Sequence, residues 1–104
     1  MTAVQKAAVA AFGKAVLQAF KEVETAIGNE TFLRSGLGNW RASRTDHVEA
    51  VRLGFERYRA GNLDLQNFLQ LQEERLESEA KVIEIEAALL NNRIDLYLAL
   101  GGGY

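Results

Sequence analysis

Large apolar residues recur along the first part of the chain at intervals of three and four, which places them on one face of a helix. The phase of this stripe is kept across residues 28–44, so the pattern predicts one helix over about residues 3–60. The members of the first stripe are Val9, Phe12, Val16, Phe20, Val23, Ile27, Leu33, Leu37, Trp40, Val48, Val51, Phe55 and Tyr58.

Three glycines favour a different reading of the same segment. Gly28, Gly36 and Gly38 each cost about 1 kcal/mol relative to alanine inside a helix. Asn29 and the region around Thr45 could each cap a new helix. The alternative to one continuous helix is therefore a break near residues 28–44 that gives a three-helix bundle.

A second stripe begins after Gly61, where the first stripe loses its phase. Glycine readily takes the left-handed conformation that ends a helix, and Asn62 or Asp64 can cap the next one. We predict a turn at about residues 61–63 and a helix over about residues 64–100. The apolar positions of the second stripe are Leu65, Leu69, Leu76, Ile83, Leu90, Ile94 and Tyr97.

Folding the chain back at Gly61 pairs residues whose numbers sum to about 123. The two charges that interrupt the first stripe then face opposite charges, which predicts the ion pairs Glu30–Arg93 and Arg44–Glu79. The predicted fold is all-α, a long, coiled-coil-like antiparallel hairpin. Because the second helix is shorter, residues 1–20 keep an apolar face without an intrachain partner, and we expect self-association.

The composition argues against several classes of protein. Of 104 residues none is proline and none is cysteine, so the chain lacks the strongest helix breaker and any disulfide or thiolate metal site. Nine basic and six acidic residues in 1–60 complement three basic and eight acidic residues in 61–104. With a net charge of −2, we expect no nucleic-acid partner. No apolar run is long enough for a membrane helix, so we expect that this chain does not itself span a bilayer.

The polar residues show no arrangement typical of catalysis. His47 is the one histidine, and on a helix it points about 100° away from Asp46, which predicts a solvated side chain. The serines stand in no nucleophile motif, and the glutamates lack the Glu-x-x-His pairs of a carboxylate-bridged metal site. We expect no catalytic residue, no metal site, no cofactor and no enzymatic activity.

Three runs of the sequence carry a family resemblance: AFKEV (Ala19–Val23), RYRAG (Arg57–Gly61) and LLNNRIDLYLALGGGY (Leu89–Tyr104). They resemble the C-terminal region of the outer-membrane efflux proteins, the TolC-like channels, and most closely their lipoprotein branch found with RND-type drug pumps. The resemblance implies a helix of the periplasmic α-barrel, a tip turn and a returning helix, in a channel that assembles as a trimer. The β-strands, the first structural repeat, the signal sequence and the lipidated cysteine of that family are absent, so we expect a fragment or a truncated gene product.

The resemblance also implies a function: a passive export conduit at the periplasmic side of the outer membrane, working with a periplasmic adaptor and an inner-membrane pump. The implied periplasmic constriction comprises Tyr58, Asn67 and Gln70, the last two being amides where family members often carry acids. The alternative function is a free-standing helical oligomerisation or interaction module. The implied adaptor-docking tip comprises Tyr58, Arg59, Ala60, Gly61, Asn62, Leu63 and Asp64.

Overall fold

The chain is all-α. A computed structural model describes residues 2–101, which form the helices α1 (Ala3–Arg59) and α2 (Leu65–Ala99). The two helices pack antiparallel as a hairpin, so the predicted fold class is confirmed. Helix α1 is unbroken through its glycines, and the three-helix alternative does not occur. With no proline in the chain, these glycines lower helix propensity without removing a backbone hydrogen bond.

The chain divides into two compact units, each containing a stretch of both helices. We call Leu33–Ala88 the turn unit, because it includes the connection between α1 and α2. The distal unit comprises the described parts of Met1–Phe32 and Leu89–Tyr104.

The core of the turn unit is a heptad seam in which both helices contribute every third or fourth residue. Leu37 and Val82 are its buried apolar side chains, and Ser78 is buried beside them. Gly54 is also buried, and a methyl group added there would overlap Leu71 Cδ1. Glycine at this position therefore lets the two helix backbones approach closely.

The rotational setting of α2 differs from the predicted one. Leu76 and Ile83 were expected in the seam but are 55% and 66% exposed, while Val82 is 1% exposed. Every apolar residue predicted for the second stripe is exposed, namely Leu65, Leu69, Leu76, Ile83, Leu90, Ile94 and Tyr97. Helix α2 carries two apolar stripes of the same period, and the one that faces α1 includes the smaller and more polar residues Ser78 and Asn92.

The antiparallel register agrees with the sequence, although the rotation of α2 does not. In the turn unit the contacting pairs Phe55–Phe68 and His47–Ser78 have residue numbers that sum to 123 and 125. A one-residue step along a helix turns it by about 100° but shifts it by only 1.5 Å. A register estimated from the sequence can therefore be right while the inward face is wrong.

The distal unit is held by a few specific contacts. Ala26, Leu89 and Asn92 are buried, and Asn92 Nδ2 donates a hydrogen bond of 2.7 Å to the carbonyl oxygen of Ala26. The large apolar side chains of residues 2–20 are exposed, with Phe12 at 72%. The expectation that this stretch has an apolar face without an intrachain partner is confirmed for the described residues.

Candidate interaction surfaces

The connection between the helices is a Schellman turn centred on Gly61. Gly61 has a φ of 81°. Its N–H donates to the carbonyl of Tyr58 at 3.0 Å, and the N–H of Asn62 donates to the carbonyl of Arg57 at 2.8 Å. This is the 5→2 and 6→1 pattern that satisfies the last carbonyls of a helix. The end of α1 is thereby fixed by the backbone itself.

Helix α2 starts with an equally complete cap. Asp64 Oδ1 accepts a 2.7 Å hydrogen bond from the N–H of Asn67, and its carbonyl accepts one from Phe68. Arg57 Nη2 lies 3.5 Å from the carbonyl oxygen of Asn62 and so links the last turn of α1 to the connection. Because both helix ends are capped, the exposed residues of the turn are held in one conformation.

Aromatic rings lie directly above the turn. Phe68 contacts Phe55 at a centroid distance of 5.9 Å and stacks on Tyr58 at 5.5 Å. Tyr58 remains 38% exposed. The three rings pack the end of α1 against the start of α2 and so support the turn.

The predicted tip residues lie together around this turn. Residues 58–64 are exposed except for Leu63, which is half-buried under Gly54. Of the implied constriction residues, Asn67 and Gln70 are exposed on the first turns of α2, one turn apart. Gln70 Nε2 lies 3.5 Å from Glu74 Oε1. Among residues 2–101 no hydrogen bond links Tyr58 to either amide.

One of the two predicted interhelical ion pairs is present. Arg93 Nε lies 3.1 Å from Glu30 Oε1 in the distal unit. Glu79 instead accepts from Arg75 of its own helix at 3.2 Å, and no ion pair joins it to Arg44 in the described chain. An i,i+4 partner on the same helix is always within reach, whereas an interhelical partner needs the right rotation of α2.

Two interhelical contacts in the turn unit were not predicted from the sequence. Arg41 Nη2 lies 3.3 Å from Glu86 Oε1. His47 Nδ1 hydrogen-bonds Ser78 Oγ, whose hydroxyl donates to the carbonyl of Glu74. His47 is therefore half-buried in the seam, and the prediction of a solvated residue is wrong. The heptad spacing of Trp40, His47 and Gly54 was the signal that could have placed it.

Within the part of the chain that the structure describes, the charged groups form no cluster suited to metal binding. Among residues 2–101 no group of three or more His, Asp or Glu could hold a metal ion. A hydrogen bond from the Arg52 guanidinium lowers the pKa of the Glu49 carboxyl, and this pair is fully exposed on α1. No helix within the described residues has the length and apolarity needed to cross a membrane.

Comparison with known proteins finds similarity to an outer-membrane export protein. The chain is 31% identical over 104 residues to the pyoverdine export outer membrane protein OpmQ of Pseudomonas putida, a match that covers 96% of this chain. It spans about a fifth (21%) of the length of that relative. No protein-family profile matches the chain, and no solved structure matches it. The chain is thus distantly similar to an outer-membrane export protein.

Proposed function

We propose that the chain is a periplasmic α-barrel hairpin of a TolC-like outer-membrane efflux channel, of the lipoprotein branch that works with RND-type pumps. The observation that carries this proposal is the similarity to OpmQ, which runs through both helices and the turn of an antiparallel hairpin. In this role the chain acts as a passive conduit and performs no catalysis. The inner-membrane pump supplies the energy.

The turn is the part of the hairpin that we assign to docking of the periplasmic adaptor. Its Schellman bonds and the Asp64 cap hold it without help from a partner. A preorganised turn binds at a lower entropic cost than one that must be ordered on binding. Arg59 and Asn62 are exposed there and can contact the adaptor directly.

Asn67 and Gln70 take the positions of the periplasmic constriction in this proposal. Both are exposed at the start of α2, and amide side chains can form hydrogen bonds without carrying charge. A constriction built from them does not bind cations as a ring of acids does. Tyr58 is held against Phe68 and contributes a fixed aromatic edge beside it.

A chimeric channel tests the proposal. The matching segment of OpmQ is replaced by this chain, and pyoverdine export is measured in cells that lack OpmQ. We expect the chimera to reach the outer membrane as a trimer and to restore export. A chimera that assembles at normal levels but exports nothing would contradict the assignment.

Cross-linking tests the docking site separately. A photoreactive group on Arg59→Cys should capture a purified adaptor, whereas the same group on Asn91→Cys should not. Both side chains are exposed, but Asn91 is in the distal unit. Equal capture at the two sites would argue against docking through the turn.

The alternative function is a free-standing oligomerisation module. The exposed apolar side chains of residues 2–20 agree with this function as well as with the channel, because such a stripe requires a covering partner in either setting. We expect the isolated chain to self-associate, as measured by sedimentation at high concentration. The two functions separate in the chimera, since a module unrelated to the channel would not restore export.

A further inference from the structure

One side of the turn unit carries exposed apolar side chains on both helices. Val48 and Phe55 stand seven residues apart on α1, and Leu69, Leu76 and Ile83 repeat at the same interval on α2. We call these five residues the lateral face. A seven-residue repeat keeps side chains in line along a supercoiled helix, which is how a coiled-coil seam is built. The lateral face therefore has the pattern of a second seam that no helix within the described chain covers.

Contacts between the helices place both parts of the lateral face on the same side of the hairpin. Arg41, which occupies the same heptad position as Val48 and Phe55, bonds to Glu86. Glu86 lies three residues after Ile83 and so shares a helix face with it and with Leu76, which is at the same heptad position. The opposite side of the turn unit is a separate groove, which includes Trp40, His47 and Ser78.

The charges of the two helices indicate what fits the lateral face. Within the turn unit, residues 33–59 of α1 contain six basic and three acidic residues, while residues 65–88 of α2 contain two basic and six acidic residues. A second hairpin of the same sequence has the same heptad interval. If α2 of the second copy lies against α1 of the first, opposite charges meet. If α1 of the second copy lies against α1 of the first, like charges meet.

We propose that the lateral face binds a second copy of this chain, with both turns at the same end and α1 of each copy against α2 of the other. A two-fold axis parallel to the helices produces this contact and keeps each residue at its own level. Val48 of one copy then faces Leu76 of the second copy, and Phe55 faces Leu69. This pairing does not depend on the efflux function proposed above.

Disulfide trapping tests the contact directly, because the chain has no cysteine of its own. Val48→Cys and Leu76→Cys are purified separately, mixed and oxidised. We expect a covalent mixed dimer, formed several-fold more than either homodimer. Leu53→Cys mixed with Leu76→Cys is the control, since Leu53 is as exposed as Val48, at 46% each, but lies on another face. A Val48→Cys homodimer that forms as readily as the mixed dimer, or a control that traps equally, would overturn the proposal.

A charge-insertion pair provides a second measurement. Leu76→Glu should weaken association at least tenfold in sedimentation, while Leu53→Glu should leave it unchanged. Both substitutions fall on exposed helix positions, so helix content by circular dichroism should stay equal. If the copies associate through residues 1–20 instead, both glutamate variants should still associate, and no disulfide should form between positions 48 and 76. Equal association of the two glutamate variants would contradict the assignment.

Discussion

The turn at Gly61 provides the sharpest test of how this sequence forms a hairpin. Gly61 has a φ of 81°, and a Cβ added there would meet nothing within 4 Å. Gly61→Ala therefore adds no clash, and its whole cost is the left-handed backbone, about 1–2 kcal/mol for a residue with a Cβ. The variant should lose that much of the free energy of unfolding.

Gly38→Ala is the matched control for this change. A Cβ at Gly38 also meets nothing within 4 Å, but Gly38 lies inside α1. The same substitution should there stabilise the protein by about 1 kcal/mol, the difference in helix propensity between alanine and glycine. The two glycine-to-alanine substitutions should therefore change the free energy of unfolding in opposite directions. The two variants should differ in this free energy by about 2–3 kcal/mol.

Urea unfolding measures both variants. Helix loss is followed by circular dichroism, and the single tryptophan, half-buried Trp40, reports on the seam of the turn unit. Protein concentration must be equal throughout, because association stabilises the folded chain by mass action. If Gly61→Ala is as stable as the parent protein, the positive φ does not fix the turn and the reasoning fails.

Substitutions at three further residues test the cap of α2, the seam of the distal unit and an exposed ion pair. Asp64→Ala should lower the free energy of unfolding by about 1 kcal/mol through loss of the N-cap, while Asp64→Ser should retain most of it; urea midpoints decide. Asn92→Asp should destabilise more than Asn92→Ala in the same assay, because a carboxylate cannot donate to the Ala26 carbonyl and would be buried against it. Glu49 has a lowered pKa in the folded chain, so any stability from its bond to Arg52 is present above the ordinary carboxyl pKa and is lost as pH falls through the lowered value. Since the pair is fully exposed, we expect the thermal midpoint of Glu49→Gln to match that of the parent at neutral pH in high salt, and a clear drop would show that the bond matters more than its exposure suggests.

The helices, the turn and the register could all be predicted from the sequence. These features depend on local chemistry: a three-and-four apolar period, the absence of proline, a glycine able to adopt positive φ and an aspartate able to cap the helix that follows. The Glu30–Arg93 pair follows from the same arithmetic, because a hairpin with a fixed turn has a fixed register.

The face of α2 that points inward could not be predicted from the sequence and depends on how the two helices pack. Both of its stripes are apolar enough to form a seam, so hydrophobicity alone could not choose between them. The choice rests on fit: Gly54 accommodates Leu71, His47 bonds to Ser78, and Asn92 reaches the carbonyl of Ala26. Such complementarity involves side chains far apart in sequence, and a pattern read along one helix contains no information about the shape of the other. The same choice leaves Leu76 and Ile83 exposed, which is why the lateral face could not be seen in the sequence.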